Sequence, residues 1–262
     1  MALNDKICVP LKTMIVFVVI ETSGNMEGEK IRAVNNSMKE FIVKLKDIQD
    51  KSDEVLIKIA VLSYSGGANF LTNSPVEISK FQWQDLKASG ASNLGAAYEA
   101  LNDKLSTKEF LPAFYEAFMP AIFLISGGKP SNGWESAFEK LKNNLWYKSA
   151  FKAAIGENAD REILAKFTCD SKMVFRISDI PNLPKMIRFT KTDDPNLIAS
   201  FTTIEEEKEF RSAALGRGKI TYPDGRVYEG EISDGRPHGY GTGTFVDGRV
   251  QEGKWEHGKF LG

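Results

Sequence analysis

The sequence predicts an α/β fold: a doubly wound, mainly parallel sheet with helices on both faces, followed by a small all-β tail of tandem hairpins. Three observations point there. Met14 to Ile20 reads MIVFVVI, an unbroken β-rich apolar run of the kind that marks a strand buried on both faces. Further short apolar runs then alternate with segments of helical periodicity. Beyond about residue 215 the composition shifts to glycine and aromatics, and the sequence repeats itself.

Taking the elements in order, Ile31, Val34, Met38, Phe41, Ile42 and Leu45 recur at helical spacing after the first strand, which gives an amphipathic helix. Val55 to Tyr64 is the next strand, and Ala68 to Leu71 a short edge strand returned by the Ser65-Gly66-Gly67 break. Leu94 to Leu105 reads as a helix and Ala121 to Ile125 as a buried strand. Trp134 to Leu145 is a helix with Trp134, Phe138, Leu141 and Leu145 on one face. Phe151 to Ile155 is a strand, Asp160 to Phe167 a helix, Met173 to Ile177 a strand and Ile180 to Phe189 a closing helix. In folds of this class ligands bind outside the carboxyl ends of the strands. That directs attention to the loops after Ile20 and Ile125 and to the one leading into Leu94. The expected organisation is a first domain over 1–190, a linker or packing strap over 191–214 with a Glu-rich helical segment, and the repeat tail over 215–262.

In the tail, Gly216-Arg217-Gly218 returns as Gly239-Tyr240-Gly241, an offset of 23 residues (239 − 216). At the same offset Tyr222 matches Phe245, Asp224-Gly225-Arg226-Val227 matches Asp247-Gly248-Arg249-Val250, and Glu229-Gly230 matches Glu252-Gly253. Agreement at this many positions defines a tandem repeat. Each Asp-Gly lies between β-patterned runs, so each unit is expected to be a hairpin.

Bulk composition excludes several classes. The 262 residues carry 34 Lys+Arg against 35 Asp+Glu, which leaves no positive field to gather phosphates, so no nucleic-acid partner is expected. The longest strongly apolar stretch is far shorter than the ~20 residues that cross a bilayer. The first residues lack the apolar core of a signal peptide. The two cysteines, Cys8 and Cys169, leave room for one disulfide between them, but two buried thiols in a reducing compartment is the favoured reading. The expectation is a cytoplasmic protein.

Three loops carry the candidate site: Glu21-Thr22-Ser23-Gly24-Asn25, Gly90-Ala91-Ser92-Asn93-Leu94-Gly95 and Ser126-Gly127-Gly128-Lys129-Pro130. On these motifs, residues 12–190 resemble the von Willebrand factor A family, and most closely its TerY-like, tellurite-resistance branch. The family's corresponding motifs are Asp-x-Ser-x-Ser, Gly-Gly-Thr-Asn-Leu-Gly and Thr-Asp-Gly-Glu-Pro, which together hold a magnesium ion. The resemblance implies Glu21, Ser23, Asn25 and Ser92 as metal ligands. It implies Thr22, Gly127, Gly128 and Lys129 as partner-facing positions. The sequence departs from the pattern: Glu21 replaces the first Asp, Asn25 the last Ser, Ser92 the Thr, and Gly127 the second Asp. One carboxylate with three neutral ligands suits Mg²⁺ poorly, so the expected cofactor is none or a weakly bound Mg²⁺. Two further readings are that Ser23, Asn25 and Ser92 cap helix starts, and that the Lys129 ammonium stands where the cation would.

The tail resembles MORN repeats in Tyr228-Glu229-Gly230-Glu231-Ile232 and Gln251-Glu252-Gly253-Lys254-Trp255, over about residues 216–262. That resemblance implies an interaction or oligomerisation module, including a homodimer contact, and in some cases contact with membrane lipid. Tyr222, Tyr228, Phe245 and Trp255 are the candidate repeat-face aromatics, with hairpin packing as their simpler role. No enzyme is expected. Both histidines, His238 and His257, fall in the tail at turn positions, and Ser23 and Ser126 have no base supplied by a motif. No phosphate-binding loop occurs. The function expected is a non-catalytic binding or scaffold protein with a protein partner. The TerY-like resemblance implies a bacterial stress or defence setting, and the alternatives are a Mg²⁺-dependent binder and a lipid-surface protein.

Overall fold

A computed structural model describes residues 11–52, 54–105, 110–111, 117–130, 133–156, 159–187, 189, 216–222, 224–233 and 236–262. They divide into two compact units, one up to residue 189 and one from 216 onward. The segment between the units, including the expected helical stretch, lies outside the described residues.

The first unit runs β1 (Lys12–Glu21), α1 (Glu29–Asp50), β2 (Val55–Tyr64), β3 (Ala68–Phe70), β4 (Val76–Glu77), α2 (Leu94–Lys104) and β5 (Ala121–Ser126). It continues with α3 (Glu135–Asn143), α4 (Leu145–Ser149), β6 (Phe151–Gly156), α5 (Arg161–Thr168) and β7 (Val174–Phe175). The strands form one sheet in the order β3-β2-β1-β5-β6-β7, with β4 also paired to β2. β1, β2, β5, β6 and β7 are parallel, whereas β3 and β4 lie antiparallel to β2. β1 is the central strand, and from Thr13 to Glu21 every residue is buried. That explains its lack of alternation, since a strand covered on both faces has no polar side. Against the sheet α1 buries Ile31, Val34, Met38, Phe41, Ile42 and Leu45.

Register positions the site. Pairing runs from Lys12↔Val55 to Glu21↔Tyr64 on one side of β1 and to Ile20↔Ile125 on the other. Glu21 and Ser126 therefore end neighbouring strands. The chain goes from β1 to β2 on one side and then crosses to β5 on the other, so this is the topological switch point.

The structure corrects several expected elements. The closing helix over 180–189 is instead a 3-10 helix at Ile177–Met186 containing Pro181 and Pro184, neither of which can donate to an α-helical ladder. The strand expected over 173–177 shrinks to β7. The helix expected over 134–145 breaks at Asn144, which is extended and caps α4 by accepting from the backbone N–H of Trp146 (3.0 Å) and Tyr147 (3.3 Å). Cys169 is not a buried thiol: it ends α5 in the left-handed region (φ 59°) and is exposed. Cys8 lies outside the described residues.

The second unit is a five-stranded antiparallel meander: β8 (Gly216–Thr221), β9 (Val227–Ser233), β10 (Arg236–Thr244), β11 (Val250–Glu256) and β12 (Lys259–Phe260). The two Asp-Gly turns join β8 to β9 and β10 to β11, with Gly225 at φ +87° and Gly248 at φ +84°, where glycine carries no steric penalty. The repeat extends to side chains. Asp224 and Asp247 each accept the backbone N–H of the arginine two residues on (3.1 Å in both) and pair with its Nε at 2.7 and 2.6 Å. The Arg226 guanidinium lies 5.0 Å over the Tyr222 ring, and that of Arg249 lies 5.1 Å over Phe245. His238 lies within β10 and not at a turn, whereas His257 stands between β11 and β12.

Candidate functional site

Glu21 is 1% exposed, and its carboxylate is the hub of the site. Oε1 accepts from Ser23 Oγ (2.5 Å) and Asn25 Nδ2 (3.0 Å); Oε2 accepts from Ser126 Oγ (2.8 Å) and the Gly127 backbone N–H (2.8 Å). Burial alone would raise its pKa. The four donors outweigh that effect and hold the carboxyl below the usual carboxylate range, because each stabilises the charged form. On β2, burial first and the Glu21 charge second push the Tyr64 hydroxyl well above its ordinary value.

Backbone bonds and one lysine tie the surrounding loops together. Thr22 donates its N–H (2.7 Å) and its hydroxyl (3.1 Å) to the Tyr64 carbonyl. Gly24 N–H donates to Gly90 O (2.9 Å) and Ser89 N–H to Thr22 O (2.9 Å), joining the first loop to the second. Lys30, in the first turn of α1, spans the first and third loops, its ammonium donating to Asn25 O (3.1 Å) and Gly127 O (2.8 Å).

The predicted site residues divide. Glu21, Ser23 and Asn25 do come together, with Gly127, although Asn25 turns its amide N–H to Glu21 and not its carbonyl oxygen. Ser23 caps a short 3-10 turn by accepting from Asn25 N–H (3.2 Å). Thr22 is committed to β2. Gly127 is buried, Gly128 half-buried and Lys129 exposed; the ammonium that crosses between the loops is that of Lys30, not Lys129. Ser92 is half-buried just before α2. Its neighbour Asn93 is the residue that caps α2, accepting from Ala96 N–H (3.0 Å).

The stretch between β4 and α2, for which the sequence suggested no element, is held by Asn35 on α1. Its amide donates to Leu86 O (3.0 Å) and accepts from Leu86 N–H (2.9 Å). Replacing Asn35 with leucine strands both backbone groups, so urea denaturation should show a loss of about 2–3 kcal/mol.

These residues do not fit a Mg²⁺ ion. The ion needs oxygens facing outward in near-octahedral array, whereas both Glu21 oxygens face inward to two donors each. Gly127 brings no ligand, and its position leaves no room for one. A Cβ there would sit 2.1 Å from Met26 Sδ, and Met26 is fully buried. Among the described residues no cluster of three or more His, Cys, Asp or Glu side chains could hold a metal. Lys30 and Met26 escaped sequence reading, although an apolar residue in a polar loop was a usable signal for Met26.

In the tail the four aromatics separate into two pairs. Tyr228 and Trp255 are buried and packed edge to face at 5.2 Å. Tyr222 and Phe245 are half-buried beneath the turn arginines. Tyr228 Oη donates to Glu231 O (2.8 Å), and Trp255 Nε1 to Gly241 O (3.0 Å).

No protein-family model and no curated protein matches the sequence. Solved structures do match the fold. Proximal thread matrix protein 1 from the mussel byssus aligns with a TM-score of 0.50 at 15% identity, over 67% of this chain and 47% of that one. A von Willebrand factor type A protein from Catenulispora acidiphila aligns at 0.48 and 15% identity, over 67% and 42%. The ArnB paralog VWA2 from Sulfolobus acidocaldarius aligns at 0.47 and 18% identity, over 93% and 65%. The first of these likenesses is one of fold alone: an α/β unit built on a mainly parallel sheet, with a separate antiparallel sheet after it in this chain. The chain spans less than half the length of the first two of these proteins.

Proposed function

We propose that this chain is a non-catalytic protein-binding or scaffold protein, and that its α/β unit meets a protein partner through the three loops around Glu21. The observation that carries this reading is the placement of an internally satisfied loop cluster at the switch point of the sheet, where such folds bind. Its outer rim is small and polar: Gly24, Asn25, Ser89, Gly90, Ala91 and Lys129 are exposed. Catalysis is disfavoured by the same geometry. Ser23 and Ser126 are buried hydroxyls donating into Glu21, and a carboxyl held below its usual pKa makes a poor general base. The TerY-like likeness of the loops suggests a bacterial stress or defence setting in the cytoplasm. The MORN-like tail is a second contact or a self-association module. Among the described residues no helix is long and apolar enough to cross a membrane.

Affinity capture with full-length Ala91→Arg/Lys129→Glu protein tests the loop face. Both changes are on exposed side chains and should leave the melting temperature within about 3 °C, since a surface substitution rarely exceeds about 0.5 kcal/mol and 1 kcal/mol shifts a unit of this size by about 2–4 °C. Partners captured by the wild type should be lost. Retention of every partner would overturn the reading.

A further inference from the structure

We infer that the loop face is held in its binding shape by two internal devices, the Glu21 hub and the Lys30 bridge, and so works without any divalent ion. This deepens the proposed function and rests on the loops being the binding face.

Three separate observations converge. The first is hydrogen bonding: each oxygen of the Glu21 carboxylate is taken up by two neutral donors of the chain itself. The second is connection. An ion shared by several loops ties them by drawing oxygens from each, and here the Lys30 ammonium draws together the carbonyls of Asn25, five residues before it, and Gly127, 97 residues after it. A charged donor makes hydrogen bonds roughly twice as strong as a neutral one. The third is space. A side chain at 127 would collide with the Met26 thioether, and one at 128 would meet Asn25 Cγ and Nδ2 at 2.7 Å. The loops therefore close over the region where a second carboxylate would have to stand. Loss of that carboxylate, the buried methionine and the bridging lysine form one consistent replacement.

The test uses the full chain and the metal ions alone as probes. Thermal melts in EDTA, in saturating Mg²⁺ and in saturating Mn²⁺ should agree within about 1 °C; an ion bound at a hundred times its Kd would raise the midpoint by about 5 °C or more. Lys30→Met keeps the aliphatic stem and removes the ammonium. Hydrogen exchange over residues 24–28 and 127–130 should then accelerate about tenfold or more, with or without Mg²⁺. A triple variant, Met26→Ala/Lys30→Met/Gly127→Asp, reopens the space and returns a carboxylate, and it should gain a Mg²⁺-dependent rise in melting temperature. If it does not fold, Lys30→Met and the wild-type melts still decide. An EDTA-reversible Mg²⁺ stabilisation of the wild type, or unchanged exchange in Lys30→Met, would overturn the inference. Neither readout involves a partner, so failure of the loop face to capture one leaves these outcomes standing.

Discussion

Glu21→Ala should destabilise the α/β unit by about 3 kcal/mol, the size expected when a buried hydrogen-bond network loses its common acceptor. The four donors do not fare equally. The Ser23 and Ser126 hydroxyls can rotate toward other acceptors and Asn25 can turn its amide. The Gly127 N–H is fixed at the end of β5 and stays buried without a partner. A cavity adds to that cost because Glu21 ends a strand sealed on both faces. Glu21→Gln is the instructive comparison. It keeps one carbonyl oxygen for Ser126 and Gly127, while Ser23 and Asn25 reorient to accept from the new amide, so about half the loss should return. Urea denaturation followed by circular dichroism reads both variants, with the slope unchanged if the fold is retained. A loss below about 1 kcal/mol in Glu21→Ala would show that the carboxylate is not the hub.

The second large effect belongs to the tail. In Gly241→Ala the new Cβ would lie 2.2 Å from Tyr228 Oη and 2.4 Å from its Cζ. Tyr228 cannot give way cheaply, because it is buried against Trp255 and its hydroxyl donates to the Glu231 carbonyl. Overpacking of this kind costs typically 1–3 kcal/mol. A small sheet has little stability to spare, so the tail should lose its cooperative structure while the α/β unit survives. Trp255 is the tail's one tryptophan. In a variant with Trp83, Trp134 and Trp146 changed to Phe, its emission should shift to the red on introducing Gly241→Ala. An unshifted spectrum would mean that the close approach of Gly241 to Tyr228 is not needed.

The fold was legible where hydrophobic pattern dominates. MIVFVVI could hardly be anything but a central strand, and the apolar spacing of α1 and the Asp-Gly turns of the tail allowed one reading each. Legibility failed where local chemistry overrides pattern. Pro181 and Pro184 divert a periodic apolar segment into a 3-10 helix, and Asn144 ends one helix by capping the next. At the site, the three loops could be found from their motifs, but the groups that fill them could not. Lys30 acts across 97 residues of sequence, and spacing says nothing about such a partner. Gly127 read as a missing ligand; only packing shows that Met26 occupies the volume.

Glu21 is both the last residue of a strand buried on both faces and the centre of the loop cluster, which bears on recognition itself. A binding loop built on mobile chain must lose conformational freedom when its partner arrives, at a cost of roughly 0.5–1.5 kcal/mol per side chain immobilised. Here that ordering is complete once the sheet has folded. On the proposed reading a partner would meet a preformed mould, and association would be a rigid docking, with the discrimination that brings and little capacity to adjust to a differently shaped ligand.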